Sequence, residues 1–397
     1  MKELLEKCLA LFFVLGYLFI PLTLNGKDWQ FQLTNFLFSK PIAFIQTNFY
    51  PKALKQIDFS SDTIALNLLL FALFLIAISI VLILKFTRLK TDKLVYISRI
   101  FSCYYIAFIL LEYGFNKVFK AQFYLPEPNI LFTPFGSLTK DILYWSTLGT
   151  SHSYSLSMGI IEVLVAILIL FKPTRILGLL MTIAIFINVV LINFGFDISV
   201  KTFSIFLLFA SIFAVFPYLK ILINFLVFNN TKQLFINNQT IISNTFIKTW
   251  IKFSVIGLFF IQILYPYFKS QNFNDDNFKR PFLHGAYQVT QIIKEKDTLK
   301  KIDFPIKNIF IHKKNYIIFQ SNNNEITDYH FDIDKLNSKL HLQDYKKNKI
   351  SVRYEFSKKD STFKLHFKKY IIFTKAINWK KMPALQNQTH YTIDQIQ

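Results

Sequence analysis

Long runs of predominantly apolar residues recur through the first 270 positions of the chain. About 20 helical residues cross the hydrocarbon core of a bilayer, which is about 30 Å thick. Seven runs reach this length and are predicted as membrane-spanning helices. They lie at roughly 8–24, 63–85, 96–116, 154–171, 176–195, 202–217 and 251–267. The segment 218–228 continues the sixth span and is predicted to lie along the membrane surface.

After residue 270 the pattern changes to short segments in which apolar and polar residues alternate. In TFKLHFKK, Phe363, Leu365 and Phe367 fall on one face, and the residues between them are polar. A period of two is typical of a half-buried strand. Six or more such segments, separated by hairpin-like sequences such as HKKN and SKKDS, predict an antiparallel all-β domain, either a small barrel or a sandwich.

Composition agrees with a polytopic α-helical membrane protein that carries a C-terminal β-domain. The 397 residues are 53% hydrophobic and only 17% charged, which is unlike an ordinary soluble protein of this length. The net charge of +21 is accompanied by no nucleic-acid-binding signature, so a nucleic-acid partner is not predicted. The two cysteines, Cys8 and Cys103, lie in apolar segments and form no redox pair by spacing.

Lysine and arginine in the short connections predict the orientation of the chain. The connections at 85–99, 172–175 and 218–252 are basic, so these three are predicted to be cytoplasmic. The N-terminus then lies inside, its apolar run being an uncleaved first span because it lacks a clear small-x-small cleavage site. We therefore expect a protein of the inner (cytoplasmic) membrane whose C-terminal domain is extracytoplasmic (periplasmic).

Polar and charged residues recur inside the predicted spans, in the half nearer the outside. Ser155, Gly159 and Glu162 follow helical spacing, as a stripe that faces another helix does. A lone charge at the centre of a bilayer costs about 3 kcal/mol, so Glu162 must be protonated or meet a donor, for which Asn188 is one candidate. The predicted pocket residues are Tyr105, Glu112, Asn116, Glu162, Asn188, Asn193, Asp197 and Lys201.

Two interpretations of these polar residues are open. They line an outward-opening pocket for a small amphipathic or redox-active molecule such as a quinone, or they hold helices together and end them at the interface. For Lys117, Lys120, Asp197 and Lys201 the second interpretation is favoured, because such side chains reach the membrane surface. Asp197 and Lys201 are four residues apart and are expected to pair. The histidines lack metal-ligand spacing, and no phosphate loop or nucleophile motif is present.

The stretches RIFSCYYIAFILLEYGFNKVF and SMGIIEVLVAILILFKPTRILGLLMTIAIFINVVLINFGFDISVKTFS resemble the DoxX family of four-helix membrane proteins. The resemblance covers 95–229, and a β-rich tail with LHGAYQV at 283–289 and INWKKMPALQN at 377–387 resembles longer DoxX-like proteins. It implies domains at 1–94, 95–229, 230–269 and 270–397. Besides pocket residues, the matching positions are Tyr113, Gly114, Lys117, Gly159, Arg175 and Gly178, for which we expect structural or interface roles.

The resemblance implies either membrane subunits of quinone-linked sulfur oxidation or accessory proteins of redox homeostasis and cofactor maturation. The leading hypothesis is an accessory or ligand-binding component of a membrane redox or envelope process, since the chain carries no catalytic or cofactor motif. The alternatives are a membrane subunit of a quinone-linked oxidoreductase of the thiosulfate:quinone type, and an envelope scaffold that acts through the β-domain. Expected partners are membrane lipid, a quinone, and a protein bound by the C-terminal domain.

Overall fold

The computed structural model describes residues 2–22, 28–50, 57–87, 93–228, 244–294, 297–299, 305–386 and 392. It divides into two compact units. The helical unit comprises 1–119 and 156–273, and the barrel unit comprises 120–155 and 274–397. Residues 120–155, which the sequence boundaries placed with the bundle, therefore lie in the barrel unit.

Ten α-helices are present in the described residues. The longer ones bury apolar side chains in one core, to which Leu69, Ile106 and Phe206 belong. The helices are α1 (Lys2–Phe19), α2 (Trp29–Phe49), α3 (Ile64–Phe86), α4 (Leu94–Val118), α5 (Pro128–Leu131), α6 (Lys140–Thr150), α7 (His152–Leu170), α8 (Arg175–Gly195), α9 (Lys201–Leu226) and α10 (Thr245–Ser270).

Six of these helices are long and apolar enough to cross a membrane, namely α3, α4, α7, α8, α9 and α10. They coincide with six of the seven predicted spans, and α9 continues through 218–226 as the sequence indicated. The remaining predicted span, 8–24, corresponds to α1, which begins with the polar sequence KELLEK and ends at Phe19. Residues 23–27 lie outside the described part of the chain, so the count of seven stays a prediction.

Helix α2 was not predicted from the sequence, because it buries polar residues. Gln30 donates from Nε2 to the carbonyl oxygens of Tyr17 and Leu18, at 3.0 and 2.8 Å, and Thr34 donates to that of Phe19 at 2.8 Å. These are the carbonyls that the end of α1 leaves without helical partners. Thus side chains of α2 cap the C-terminal end of α1.

In its described residues, the barrel unit contains nine antiparallel strands. Eight of them close into a barrel, because β1 pairs with β3 on one side and with β9 on the other. The short β2 pairs with β1 at 293–294. The strands are β1 (Gly285–Lys294), β2 (Asp297–Thr298), β3 (Asn308–Ile311), β4 (Tyr316–Gln320), β5 (Ile326–Asp334), β6 (Lys339–Gln343), β7 (Lys349–Ser357), β8 (Thr362–His366) and β9 (Tyr370–Ile377).

The alternating pattern is confirmed as the origin of the barrel core. Phe363 and Leu365 on β8 are fully buried, as are Leu340 on β6 and Val352 on β7. Of the two expected forms, barrel and sandwich, the chain adopts the barrel. The segments 283–289 and 377–387 come together where β1 pairs with β9, with Ala286 opposite Ile377. Residue 387 lies outside the described residues.

Segment 120–155 is held within the barrel unit by a buried lysine. Lys120 is fully buried and donates from Nζ to the carbonyl oxygen of Gly149 at 2.9 Å. Its Nζ also lies 3.4 Å from the carboxylate of Asp276, which accepts the backbone N–H of Leu125 at 2.7 Å. The interpretation of Lys120 as a side chain that reaches the membrane surface is therefore wrong, because acceptors inside the unit replace water around its ammonium.

A second buried polar cluster joins the same segment to the turn between β3 and β4. Glu127 is 3% exposed, and its Oε2 lies 2.8 Å from Nε2 of His284 and accepts the backbone N–H of Lys313 at 3.2 Å. Burial raises the pKa of Glu127, but the hydrogen bond with His284 and the nearby positive charges outweigh burial and hold that pKa below its usual value.

His312, in the same turn, is half-buried and has a lowered pKa. Burial lowers the pKa of His312, and the carboxylate of Glu127 only partly opposes this, while Lys313, His284 and Lys314 add to the lowering. Its Nδ1 accepts the backbone N–H of Lys314 at 3.1 Å, so a proton on Nδ1 would remove that hydrogen bond. The turn therefore depends on an unprotonated ring.

We expect the β3–β4 hairpin to open as the pH falls. A histidine whose pKa is lower in the folded state binds its proton more readily when unfolded, so its stabilising contribution is present above about pH 6.5 and is lost below it. Hydrogen exchange of peptide 308–320, corrected for intrinsic rates, should accelerate from about pH 7.5 to about pH 5.5.

The matched control is His312→Asn, whose side-chain oxygen keeps an acceptor for Lys314 but does not titrate. The acceleration should be smaller in this variant. Equal acceleration in both proteins would contradict the role given to His312.

Candidate functional site

Two glycines bring the backbones of α4 and α7 into contact. A Cβ added at Gly159 would lie 2.6 Å from the carbonyl oxygen of Gly114, and one added at Gly114 would lie 3.0 Å from that of Gly159. The distance at Gly159 excludes an ordinary side chain, and one at Gly114 would force its neighbours to shift. Small residues allow close helix packing in membranes in this way. Side chains that flank this crossing are consequently brought within hydrogen-bonding reach.

Lys117 and Glu162 form a buried ion pair at the crossing. Each follows one of the glycines by three residues and therefore lies on the same helix face as its glycine. Nζ of Lys117 donates to Oε2 of Glu162 at 2.7 Å, and the two side chains are only 10% and 5% exposed. The ammonium also lies 5.6 Å from the centre of the Tyr113 ring. Each charge thus compensates the other.

This pair corrects two expectations from the sequence. Lys117 joins two helices, as the second interpretation expected, but it does not extend to a surface, because the carboxylate of Glu162 binds its ammonium inside the helical unit. Asn188 is exposed on α8 and is not a partner of Glu162. The reason is geometric, since the glycine crossing turns Glu162 towards α4 rather than towards α8.

Tyr105, Glu112 and Asn116 occupy the other face of α4. Asn116 accepts a hydrogen bond from the hydroxyl of Tyr267 on α10. The ring of Tyr105 stacks on that of Tyr17 with centroids 4.2 Å apart, and its buried hydroxyl has no hydrogen-bond partner among the described residues.

Glu112 itself is half-buried. It lies close enough to Tyr105, Tyr113 and Tyr267 to interact with them electrostatically. In the described part of the chain it makes no hydrogen bond or ion pair. The two faces of α4 therefore carry separate polar groups.

The remaining predicted residues gather at the turn between α8 and α9. Nζ of Lys201 lies 2.7 Å from the carboxylate of Asp197, which confirms the expected local pair. Asp197 adopts a left-handed conformation with φ of 53°, which Asp tolerates better than most residues. The buried Asn193 donates to the carbonyl oxygen of Val200 at 3.5 Å.

Asp62 caps α9, and sequence reasoning missed this role. Its two carboxylate oxygens accept the backbone N–H groups of Lys201 and Thr202, each at 2.8 Å. A carboxylate at a helix N-terminus satisfies unpaired donors and favours the helix dipole. No local pattern in the sequence indicates this role, because the partner of Asp62 is 139 residues away.

Arg175 and Gly178 have the structural surroundings expected of them. Nε of Arg175 donates to the carbonyl oxygen of Ile169 at 2.9 Å. A Cβ at Gly178 would lie 2.8 Å from the backbone nitrogen of Ile169, so α7 and α8 approach closely there. These two residues hold the start of α8 against the end of α7.

The fold and the site define the class of the protein. In the described part of the chain it has six helices able to span a membrane and a C-terminal eight-stranded antiparallel barrel. The chain is 37% identical over 100 residues to the uncharacterized protein YwoB of Bacillus subtilis strain 168. This similarity covers 25% of the chain and 63% of YwoB, less than two thirds of that protein's length. Neither a family model nor a solved structure matches the chain. The DoxX-like resemblance therefore stays a prediction.

We expect loss of one partner of the Lys117–Glu162 pair to destabilise the helical unit strongly. Glu162→Gln leaves the ammonium of Lys117 buried without its counter-charge, which costs about 3–5 kcal/mol in the free energy of unfolding. The double variant Lys117→Met with Glu162→Leu removes both charges and should recover most of this loss. Unfolding in mixed micelles gives the free energy of unfolding of the unmodified protein, the Glu162→Gln protein and the double variant.

Asp197→Asn is the control, because its side chain is 83% exposed and pairs with Lys201 at a surface. Its effect on the free energy of unfolding should be much smaller. A Glu162→Gln protein as stable as the unmodified one would contradict the buried pair.

Proposed function

We propose that the chain is a DoxX-like integral membrane protein that serves a membrane redox or envelope process as an accessory component. Its helical unit binds a small amphipathic molecule, of which a quinone is the leading example. The observation that carries this proposal is the ion pair of Lys117 and Glu162, whose side chains are almost fully buried beside Tyr113. Ionisable residues inside membrane proteins are expensive and mark functional sites by default.

The chemistry of the pair suits the head of a quinone. A ring carbonyl accepts a hydrogen bond from an ammonium such as that of Lys117, and a quinol hydroxyl donates one to a carboxylate such as that of Glu162. The same two side chains thus serve the oxidised and the reduced ligand. Packing alone is a weaker explanation of the two charges, because apolar residues of similar volume often stabilise a buried site as well or better.

Ligand binding by a stable variant without the charges tests this function. We expect the purified protein to bind ubiquinone-1. The double variant Lys117→Met with Glu162→Leu should bind it at least about tenfold more weakly, because this is the effect of losing one charged hydrogen bond. Titration of intrinsic fluorescence in detergent provides the dissociation constants.

The Asp197→Asn protein is again the control and should bind ubiquinone-1 like the unmodified chain. The same affinity in the double variant, or no binding by the unmodified protein, would contradict a ligand site at the pair.

We further propose seven membrane spans, with α1 as the first. The support is that α1 is built into the core of the other helices: Ser98 on α4 donates to the carbonyl oxygen of Ala10 at 2.8 Å, and Tyr17 donates to Ser102 at 2.7 Å. Buried hydrogen bonds of this kind join transmembrane helices. With an odd number of spans, the N-terminus and the barrel lie on opposite sides of the membrane, the N-terminus in the cytoplasm and the barrel outside it. The loops 88–92 and 229–243, which carry part of the positive charge behind this orientation, lie outside the described residues.

Thiol labelling of spheroplasts is expected to confirm the orientation. In a background of Cys8→Ser and Cys103→Ser, the exposed substitution Lys359→Cys on the barrel should react with a membrane-impermeant maleimide. Thr87→Cys, at the end of α3, should react only after permeabilisation. The reverse pattern would overturn the proposed orientation.

A further inference from the structure

An apolar groove runs along α9 and is also lined by α1, α3 and Arg99 of α4, whereas Lys117 and Glu162 do not line it. It encloses about 670 Å³, within the range of about 300–1,000 Å³ typical of small-ligand sites. Its floor contains the buried rings of Phe13, Phe206 and Phe213. Its rim includes Leu5 and Phe209, which are 56% and 57% exposed. An occupant that covers these surfaces must itself be largely apolar.

The length of the groove corresponds to a lipid chain. It extends along α9 from Thr202 to Phe216, which at 1.5 Å per residue is about 21 Å. One leaflet contributes about 15 Å of hydrocarbon to a bilayer, so the groove has room for a whole acyl chain. Helix α9 is one of the six helices able to span a membrane, so the groove is oriented along a candidate span.

The two ends of the groove differ in charge. Asn67 and Thr202 at one end are neutral, whereas the other end has Lys2, Arg99 and Glu6. Nη2 of Arg99 lies 3.2 Å from the carboxylate of Glu6. Two cations and one carboxylate leave this end with an excess of one positive charge.

Arg99 retains an unused donor at the charged end. Its Nε is buried and has no hydrogen-bond partner among the described residues, although a buried guanidinium donor normally has one. The ammonium of Lys2 lies 6.0 Å from the centre of the Phe216 ring, so it belongs to the same end of the groove. An anionic oxygen placed there would satisfy Nε and neutralise the excess charge.

We propose that this groove binds one acidic phospholipid of the surrounding bilayer, with an acyl chain along α9 and the phosphate at Arg99 and Lys2. The apolar floor accounts for the chain, the unused Nε donor for a phosphate oxygen, and the excess charge for a head group of net negative charge. A zwitterionic lipid such as phosphatidylcholine also supplies a phosphate oxygen, but it leaves the excess charge uncompensated. The site uses α1, α3, α9 and Arg99 at the start of α4, and it does not depend on the proposed ligand of the Lys117–Glu162 pair.

Native mass spectrometry with defined lipids tests the assignment. The full chain is delipidated in detergent and mixed with equal amounts of dioleoyl phosphatidylglycerol and dioleoyl phosphatidylcholine. It should retain one molecule of phosphatidylglycerol in preference to phosphatidylcholine. Arg99→Lys keeps a charge beside Glu6 but removes Nε, so retention of both lipids should fall about tenfold, as expected for one charge-assisted hydrogen bond. Lys2→Gln removes the excess positive charge, so the preference for phosphatidylglycerol should be lost. Ile212→Trp fills the groove and should reduce retention of both lipids.

Matched controls separate this site from general lipid contact. Lys252→Gln removes a cation of α10 that lies 4.2 Å from the Phe171 ring, and Leu258→Trp adds bulk at an exposed position of α10; both should leave retention unchanged. Equal retention of the two lipids by the unmodified protein would overturn the proposal. So would retention that is unchanged in Arg99→Lys, a preference that survives Lys2→Gln, or a dimer that excludes lipid from the groove.

Discussion

The backbone contact between α4 and α7 determines which charged groups meet inside the helical unit. Because Gly114 and Gly159 lack side chains, the two helices approach until a carbonyl oxygen of one lies against the α-carbon of the other. Lys117 and Glu162, one turn further along each helix, then have each other as the nearest source of opposite charge. A larger residue at either glycine would separate the helices and the ion pair together, so packing and electrostatics depend on the same two positions.

Much of the architecture was predictable because it follows from local periodicity. Six spans and the alternating strands appear in the sequence as runs of about the right length or with a period of two. Helix α2 escaped prediction because its buried face is polar: Gln30 and Thr34 face α1 to serve its terminal carbonyls, and a hydrophobic pattern does not record that use.

The candidate site was less predictable, since periodicity assigns a residue to a face but does not say which helix faces it. Glu162 was correctly placed on an inward stripe, yet its partner was sought on α8, where Asn188 is exposed. Lys117 looked like an interfacial lysine because it is near a helix end. Asp62 and Glu127 had no local signal, as their partners on α9 and on the barrel are more than a hundred residues away.

The closure of β1 onto β9 limits how a protein partner engages the barrel. Many domains recruit extended peptides by offering a free strand edge, to which the peptide adds as one more strand. Among the described strands, the eight of the barrel each have neighbours on both sides, and only the two-residue β2 ends the ladder. Recognition by this domain must therefore read side chains on its outer wall or its loops, and the same closure protects the chain from sheet-to-sheet aggregation.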